Sequence, residues 1–389
     1  MEARTINFII FISVVMAVHI SVNLYIGVRG WQALHDWPHA RVLYAPAFVF
    51  LAVSFFAGRI LERFLICRTS DILIWIGSFW FGMMLYLFLG ALLCDLARLI
   101  NHFAGFIPAG TPAYARARTV AAASVVGLTL VLMMYGWWNS LNPRIRTLVV
   151  EAPKACAGRE AIDIALVSDI HLGTIIKNSR LQTMVDMVNV IQPDIVLLAG
   201  DIVDEDLKPV IANNLGELLR TIRSRLGTYA VTGNHEYIGG VEEACRYLEA
   251  HGVRMLRDQA VIVDGCLCLA GREDASIAQF SGRRRKPVDE ILKGVDRTLP
   301  IILMDHQPIR LEEAKRAGVD LVVSGHTHHG QLWPGSIVTS LIFRVSYGFM
   351  RDGESAYYVS CGFGTWGPPV RIGTRPEVVH LQIRFKKGG

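Results

Sequence analysis

A cysteine framework is the first thing this chain lacks. It has seven cysteines in 389 residues. Five of them (Cys156, Cys245, Cys266, Cys268 and Cys361) follow the apolar N-terminal region. That odd number, with no Cys-x-x-Cys pair, excludes a zinc finger and argues against a disulfide scaffold. Free thiols suit a reducing compartment, so the part that carries them is expected to face the cytoplasm. Charge is scarce too: Asp, Glu, Lys and Arg make up 19% of the chain and the net charge is +5. The one dense basic run is "GRRRKP", Gly282–Pro287. No aromatic residue interleaves it, so a nucleic-acid partner is not expected. Two readings of Arg283–Lys286 stay open, a solvated loop or a contact to anionic lipid or phosphate. Internal repeats and low-complexity linkers are also missing.

Apolar residues are abundant, at 52% of the sequence, and the first ~140 residues hold the excess. Four stretches there approach or exceed the roughly 18 to 20 apolar residues that a transmembrane helix needs. They run over about Ile6–Val28, Val42–Ile60, Ile72–Ile100 and Thr119–Trp138. Trp31, Trp37, Tyr44, Tyr135, Trp137 and Trp138 lie near their ends, where an interfacial aromatic belt would place them. A cleaved signal peptide would account for one such stretch and not for four. The expectation is a four-helix transmembrane region over residues 1–145 of a multi-pass protein, with the bilayer as its partner. Cations near the spans do not set its orientation. Arg4, Arg59, Arg63, Arg68, Arg144 and Arg146 fall on one side, and Arg29, Arg41, Arg98, Arg116 and Arg118 on the other. Among span residues Asp95 is the one late acid in the third stretch, thin support for a transport path.

After "NPRIRTLVVEAP" the texture changes. "AIDIALVSD" and "PDIVLLAGD" read as strands around the helical "SRLQTMVDMVNVIQ". Further strands are expected at "GTYAVTG", "AVIVDG", "LCLAGRED", "LPIILMDH", "GVDLVVSGH", "AYYVSCG" and "EVVHLQIRF". Helices are expected around Asn213–Ser224, Val241–His251 and Arg310–Ala317. Strands alternating with helices argue for sheet layers covered by helices. Residues 146–389 are therefore expected to form an α/β domain.

Polar residues collect at the ends of five of these strands. They are Asp169 and His171; Gly200 and Asp201; Gly233, Asn234 and His235; Asp305 and His306; and Gly325, His326 and His328. Ligands in open α/β sheets bind beyond the carboxyl ends of strands, so five endings of one kind at one sheet edge point to a shared site. Oxygen and imidazole donors without thiolate suit Mn, Fe, Zn, Ni or Co. Seven such donors exceed the needs of one tetrahedral metal and suffice for two that share a carboxylate. Two-metal sites activate water and clamp both the entering and the leaving oxygen of a phosphoryl group.

The blocks Asp169-Ile-His171, Gly200-Asp201-Ile-Val-Asp204, Gly233-Asn234-His235-Glu236, His306 and Gly325-His326-Thr-His328 resemble the calcineurin-like metallophosphoesterase superfamily. The resemblance covers about residues 160 to 385. The tail from "GHTHHGQLWPG" to "GFGTWGPPVRIGTRPEVVHLQI" is similar to the membrane-associated bacterial branch that includes YkuE and YaeI.

This resemblance implies an α/β/β/α sandwich behind the all-α membrane region, and a metal-dependent phosphoric ester hydrolase. It implies two divalent ions, Mn favoured. One would be held at Asp169, His171, Asp201 and His328, and the other at Asp201, Asn234, His306 and His326. It implies that His235 contacts the phosphate and protonates the leaving oxygen. Asp204 and Asp305 are expected to support ligands from behind, and Asp305 has capping of the following turn as its alternative. His329 is expected to be a neighbour, and His19, His35, His39, His102, His251 and His380 to be ordinary. Glycines 200, 233 and 325 are expected because the chain turns sharply there.

The expected reaction is hydrolysis of a phosphodiester or pyrophosphate, on a substrate that is lipid-linked because a membrane anchor holds the site near the bilayer. The expected location is a bacterial inner membrane. A pyrophosphatase acting on UDP-2,3-diacylglucosamine in lipid A synthesis is one alternative. A non-hydrolytic membrane scaffold is another, disfavoured because all seven donor positions are filled. "SIVTSLIFRVSYGF" is read two ways, as part of an acyl-accepting groove or as a core segment.

Overall fold

The computed structural model describes residues 2–386, with backbone only for residues 2–9 and Phe11. Residues 387–389, the end of the expected second domain, and the side chain of Arg4, one of the cations weighed for orientation, lie outside the described residues. Two compact units result. One runs up to Trp137 and includes Gly367–Val370; the other starts at Trp138 and takes the rest.

Among the described residues of the first unit, four helices are long and apolar enough to cross a membrane. They are α1 (Glu2–Ala33), α2 (Pro38–Phe64), α3 (Arg68–Ala104) and α4 (Pro112–Leu141). Pro38 and Pro112 open α2 and α4, where a missing N–H costs nothing. Gly105 ends α3 in the left-handed conformation, at φ 68°. The residues buried in α2 are Ser54, Gly58 and Glu62, and those in α3 include Ser70, Gly77, Ser78 and Gly82. Small residues let backbones approach where hydrophobic force between helices is absent. A Cβ on Gly77 would lie 2.2 Å from the Phe55 amide nitrogen. Asn23 adds polar attachment: Trp80 Nε1 donates to its Oδ1 at 2.9 Å, and its Nδ2 donates to the His19 carbonyl at 2.8 Å. Asp95 is paired rather than open, with Arg98 at 3.0 Å and the Tyr25 hydroxyl at 2.6 Å.

The second unit is a mixed α/β sandwich of two six-stranded sheets. Its strands are β1 (Arg144–Glu151), β2 (Ala161–Val167), β3 (Ile195–Ala199), β4 (Thr228–Val231), β5 (Val253–Met255), β6 (Gln259–Val263), β7 (Leu267–Gly271), β8 (Ile301–Met304), β9 (Leu321–Ser324), β10 (Gly348–Asp352), β11 (Ser355–Val359) and β12 (Glu377–Arg384). One sheet has the order β1-β12-β2-β3-β4-β5 and the other β10-β11-β9-β8-β7-β6. Strands β2 to β5 run parallel, as do β7, β8, β9 and β11.

Alternation along the strands builds the layers. Ile162, Ile164 and Leu166 of β2 join Leu269, Met304, Val323 and Tyr358 in the core between the sheets. Ala165 and Val167 turn outward to meet Leu181, Met184 and Val188 of the helix Asn178–Ile191. The opposite sheet packs Ile301, Leu303 and Val322 against Leu311 and Ala314. The sequence anticipated one sheet edge; the edges are two, because β2 to β4 and β8 to β9 belong to different sheets.

Three expectations change. The Asn213–Ser224 helix shrinks to the single turn Gly216–Leu219, flanked by the helix Leu207–Ala212. Cys156 and Cys266 are not free thiols: they form a disulfide across 110 residues of sequence, inside the core between the sheets. Each sits far from the other in sequence, so no spacing rule flags the pair. "SIVTSLIFRVSYGF" divides: its first half belongs to a surface helix, Gly335–Ile342, with no buried residue, while Val345 and Ser346 in its second half are buried, Val345 in the core.

Candidate metal centre

The site begins with backbone conformations that side chains normally avoid. Asp169, His171, Asp201, His326 and His328 all have positive φ, from 44° to 71°. Non-glycine residues are uncommon in that region and persist only where the surroundings hold them. Here the holding is visible. Asp169 donates its N–H to the Gly200 carbonyl and His171 to the Asp201 carbonyl, both at 3.0 Å. Phe363 and Gly364, past the end of β11, donate to the Ser168 and Asp169 carbonyls at 2.9 and 2.7 Å. Behind β4, the buried Glu236 carboxylate accepts from the amides of Asp201, Ile202, Val203 and Gly233 at 2.7 to 3.1 Å. One carboxylate thus fixes the loops after β3 and β4 together.

The glycines before the ligands serve space more than turning. Gly200 does have a positive φ of 86°. Gly233 and Gly325 do not; a Cβ on them would lie 2.1 Å from Asp201 Oδ1 and 2.3 Å from Asp169 Oδ2. The carboxylates occupy the volume that any other residue would need.

Among the described residues three donor groups result: Asp169, His171 and His328; Asp201, His306 and His326; and, sharing His171 with the first, His171, Asp204 and His235. In the first, His328 Nε2 lies 3.5 Å from Asp169 Oδ1 and 3.0 Å from His171 Nε2. In the second, His306 Nε2 lies 3.1 Å from Asp201 Oδ2, and His326 Nδ1 lies 2.8 Å from Asn234 Oδ1. Asp201 faces both of these groups. Its Oδ1 accepts from the His235 amide at 2.9 Å, and its Oδ2 looks toward His306 and, at 4.0 Å, His171. All seven expected donors are therefore brought together, on the ends of β2, β3, β4, β8 and β9.

The donor set fits divalent cations by an observation independent of motif. His306 Nε2 is fully buried beside a carboxylate and makes no hydrogen bond. Its close neighbour is the Asp201 carboxylate; a buried polar atom short of a hydrogen bond costs ~1–3 kcal/mol, and a divalent cation held by these residues would remove that cost. The rear nitrogen of the same ring is satisfied by the Ala199 carbonyl at 2.7 Å, the arrangement that aims a ligand histidine.

The protein's own charges set the electrostatics of the site. Burial opposes the charge of the Asp201 carboxylate, yet His306 and His235 hold it well below the usual range. Burial and the Arg371 guanidinium keep the His328 imidazole neutral, the form a ligand needs. His235 is pushed up to about 9: burial works against its charge, but Asp201 and Asp204 win.

Asp204 and Asp305 divide. Asp204 Oδ1 lies 3.1 Å from His235 Nδ1 and 3.6 Å from His171 Nδ1, behind both rings. Asp305 is engaged elsewhere, by Arg285 at 2.7 Å and Arg272 at 3.3 Å; the acceptor behind His306 is the Ala199 carbonyl instead. Arg285 thereby leaves the basic run, whose Arg283 and Arg284 stay exposed. His329 turns away to Ser346 Oγ at 3.1 Å and toward the Tyr347 ring.

Sequence reasoning missed two residues. Glu236 was visible in the Gly-Asn-His-Glu block, without a signal for its role. Arg371 is the largest fully buried side chain. It donates to the Gly364 and Cys361 carbonyls at 3.0 and 2.6 Å and lies 3.1 Å from His328 Nδ1.

Residues 162–330 match the sequence family described as calcineurin-like phosphoesterase. Over 261 residues the chain is 34% identical to a metallophosphoesterase of Aquifex aeolicus, a match covering 67% of this chain and 98% of that protein. It is 33% identical over 270 residues to a transmembrane protein with metallophosphoesterase domain of Danio rerio, covering 66% of this chain and 61% of that one. A metallophosphoesterase of Helicobacter pylori is 31% identical over 265 residues, which is 70% of its length.

Proposed function

The chain belongs to the calcineurin-like metallophosphoesterase family, and on that premise we propose that it is a membrane-anchored hydrolase of phosphodiester or pyrophosphate bonds that works with two divalent cations. The observation that carries this reading is Asp201, one buried carboxylate whose Oδ2 faces both histidine groups. Asp169, His171, Asp201 and His328 would hold one ion, and Asp201, Asn234, His306 and His326 the other. The donors are oxygen and imidazole alone, a set that suits Mn, Fe, Zn, Ni or Co; we favour manganese on the family resemblance. When bound, such ions supply water activation and neutralise charge on the phosphoryl group.

The chain's own residues do the rest. His235 stands among carboxylates that keep it protonated, so it serves as the acid for the leaving oxygen. Asp204 holds the His235 ring by its Nδ1 face. Glu236 and Arg371 fix the backbone and the ring that carry Asp201 and His328. Trp366 is exposed, with its ring 6.2 Å from that of His235.

We read the four apolar helices as a transmembrane domain over residues 1–145 of a multi-pass membrane protein, with the phosphoesterase domain over 146–389; their length and composition support this. We place it in a bacterial inner membrane. The substrate is a phosphate ester carried on a lipid, because a site tied to the bilayer meets membrane-held esters at high effective concentration. The Cys156–Cys266 disulfide moves one reading: disulfides persist in oxidising compartments, which favours an outward-facing catalytic domain over the cytoplasmic one expected from free thiols. The test of activity is direct. Purified protein with Mn²⁺ should hydrolyse bis(p-nitrophenyl) phosphate and the Asp201→Ala variant should not; equal turnover in both would end the two-cation reading.

A further inference from the structure

The helix Gly335–Ile342 is built the wrong way round for water. Its outward residues are Ile337, Val338, Leu341 and Ile342, of which Leu341 is 82% and Ile342 68% exposed. The opposite side carries hydroxyls: Ser340 Oγ lies 3.1 Å from Ser346 Oγ, and Thr339 Oγ1 donates to the Ser336 carbonyl. A surface helix of a soluble domain turns its apolar stripe inward; this one turns it out. From Gln331 to Phe343 no residue is charged, and the exposed Trp333 stands just before the helix.

The helix is also tied to the site. It follows the loop of His326 and His328 directly, and the Phe343 ring at its end lies 6.0 Å from that of His326. A shallow hollow of about 330 Å³ beside it is lined by His329, Ser336, Ile337, Ser340 and Leu341.

We propose that the Gly335–Ile342 helix lies in the acyl boundary of a phospholipid bilayer and brings the metal centre to lipid-borne esters. The occupant follows from the chain itself. Four helices long and apolar enough to span a membrane precede the catalytic unit. Only Asn142 and Pro143 separate α4 from β1, a tether of about 11 Å at most. The bilayer that α1–α4 would span is thus the apolar medium this chain itself brings to the catalytic unit. Interfacial helices use large aliphatics on the buried side with an aromatic near the boundary, which is the make-up here. The inference rests on the membrane reading of α1–α4 proposed above, and not on the identity of the substrate.

The test uses the full chain in phosphatidylcholine–phosphatidylglycerol liposomes. Leu341→Cys, in a background with Cys67→Ser and Cys94→Ser, carries a nitrobenzoxadiazole label. Blue-shifted emission that doxyl-labelled phospholipid quenches and iodide does not is the expected result. Water-like emission with iodide quenching would overturn the proposal. So would protection from iodide without lipid quenching, which would mean that a second copy or another protein covers the helix. A second variant, Leu341→Glu with Ile342→Glu, should lower hydrolysis of a p-nitrophenyl phosphodiester of a dialkyl lipid in the same vesicles by about tenfold or more. Hydrolysis of soluble bis(p-nitrophenyl) phosphate should stay unchanged; equal turnover of the lipid probe by variant and wild type would overturn the proposal. The fluorescence needs no turnover, so loss of the phosphoesterase reading and loss of this one are separate results.

Discussion

In α2 and α3 the buried positions are mostly small or polar and the exposed ones large: Ser54, Gly58 and Gly77 lie inside, while Leu43, Phe64 and Phe103 are 72 to 83% exposed. In the catalytic unit the pattern reverses, with Ile162, Leu197 and Tyr358 sealed between sheets and charge on the surface. The same twenty side chains obey opposite rules, as expected of one unit built for lipid and one for water. In water, burial of apolar area at ~25 cal/mol per Å² decides the interior. In lipid that term vanishes between helices, and close approach with hydrogen bonding decides it. The Gly335–Ile342 helix shows its large apolar residues as α2 and α3 do while sitting in the catalytic unit, and that mismatch is what marks it.

The contrast can be broken or sharpened in order of expected effect. Asp201→Ala should cost on the order of 10³-fold in turnover, the scale on which a main electrostatic stabiliser acts; steady-state kinetics with added Mn²⁺ measures it. His235→Ala should cost about 10²-fold or more in kcat and keep its metal, which separates an acid from a ligand. Cys156→Ser should destabilise only the catalytic unit, by about 2–4 kcal/mol. Mass spectrometry after alkylation without reductant gives the compartment: linked Cys156 and Cys266 speak for the oxidising side, and two alkylated thiols restore the cytoplasmic expectation. Gly77→Ala is the smallest change, at about 1–3 kcal/mol of overpacking. It should lower the thermal midpoint of the helical unit and leave hydrolysis of a soluble ester as it was; a loss of both would mean that the two units do not obey separate rules.

The sequence was most legible where chemistry and local pattern coincide. Runs such as "VVMAVHISVNLYI" declare by composition alone a helix apolar enough to cross a membrane. Asp169, Asp201 and His306 could be found because each follows a short apolar strand, and strand ends are where parallel sheets gather ligands. What stayed hidden depends on contacts far apart in sequence. Arg371 reaches His328 across 43 positions and the Cys156–Cys266 pair closes 110. Neither leaves a spacing signal. The role of Gly233 and Gly325 was misjudged for a related reason: the space each leaves is filled by a carboxylate from another strand. Asp305 was misplaced because adjacency to His306 says nothing about which way its carboxylate turns, and two arginines claim it.

Elemental analysis of the purified, folded chain bears most directly on the dinuclear centre. Two equivalents of divalent transition metal per chain are predicted for the wild type and for His235→Ala, with substantial loss in Asp201→Ala. Active wild-type protein carrying no such metal, or an Asp201→Ala variant that retains both equivalents, would contradict it.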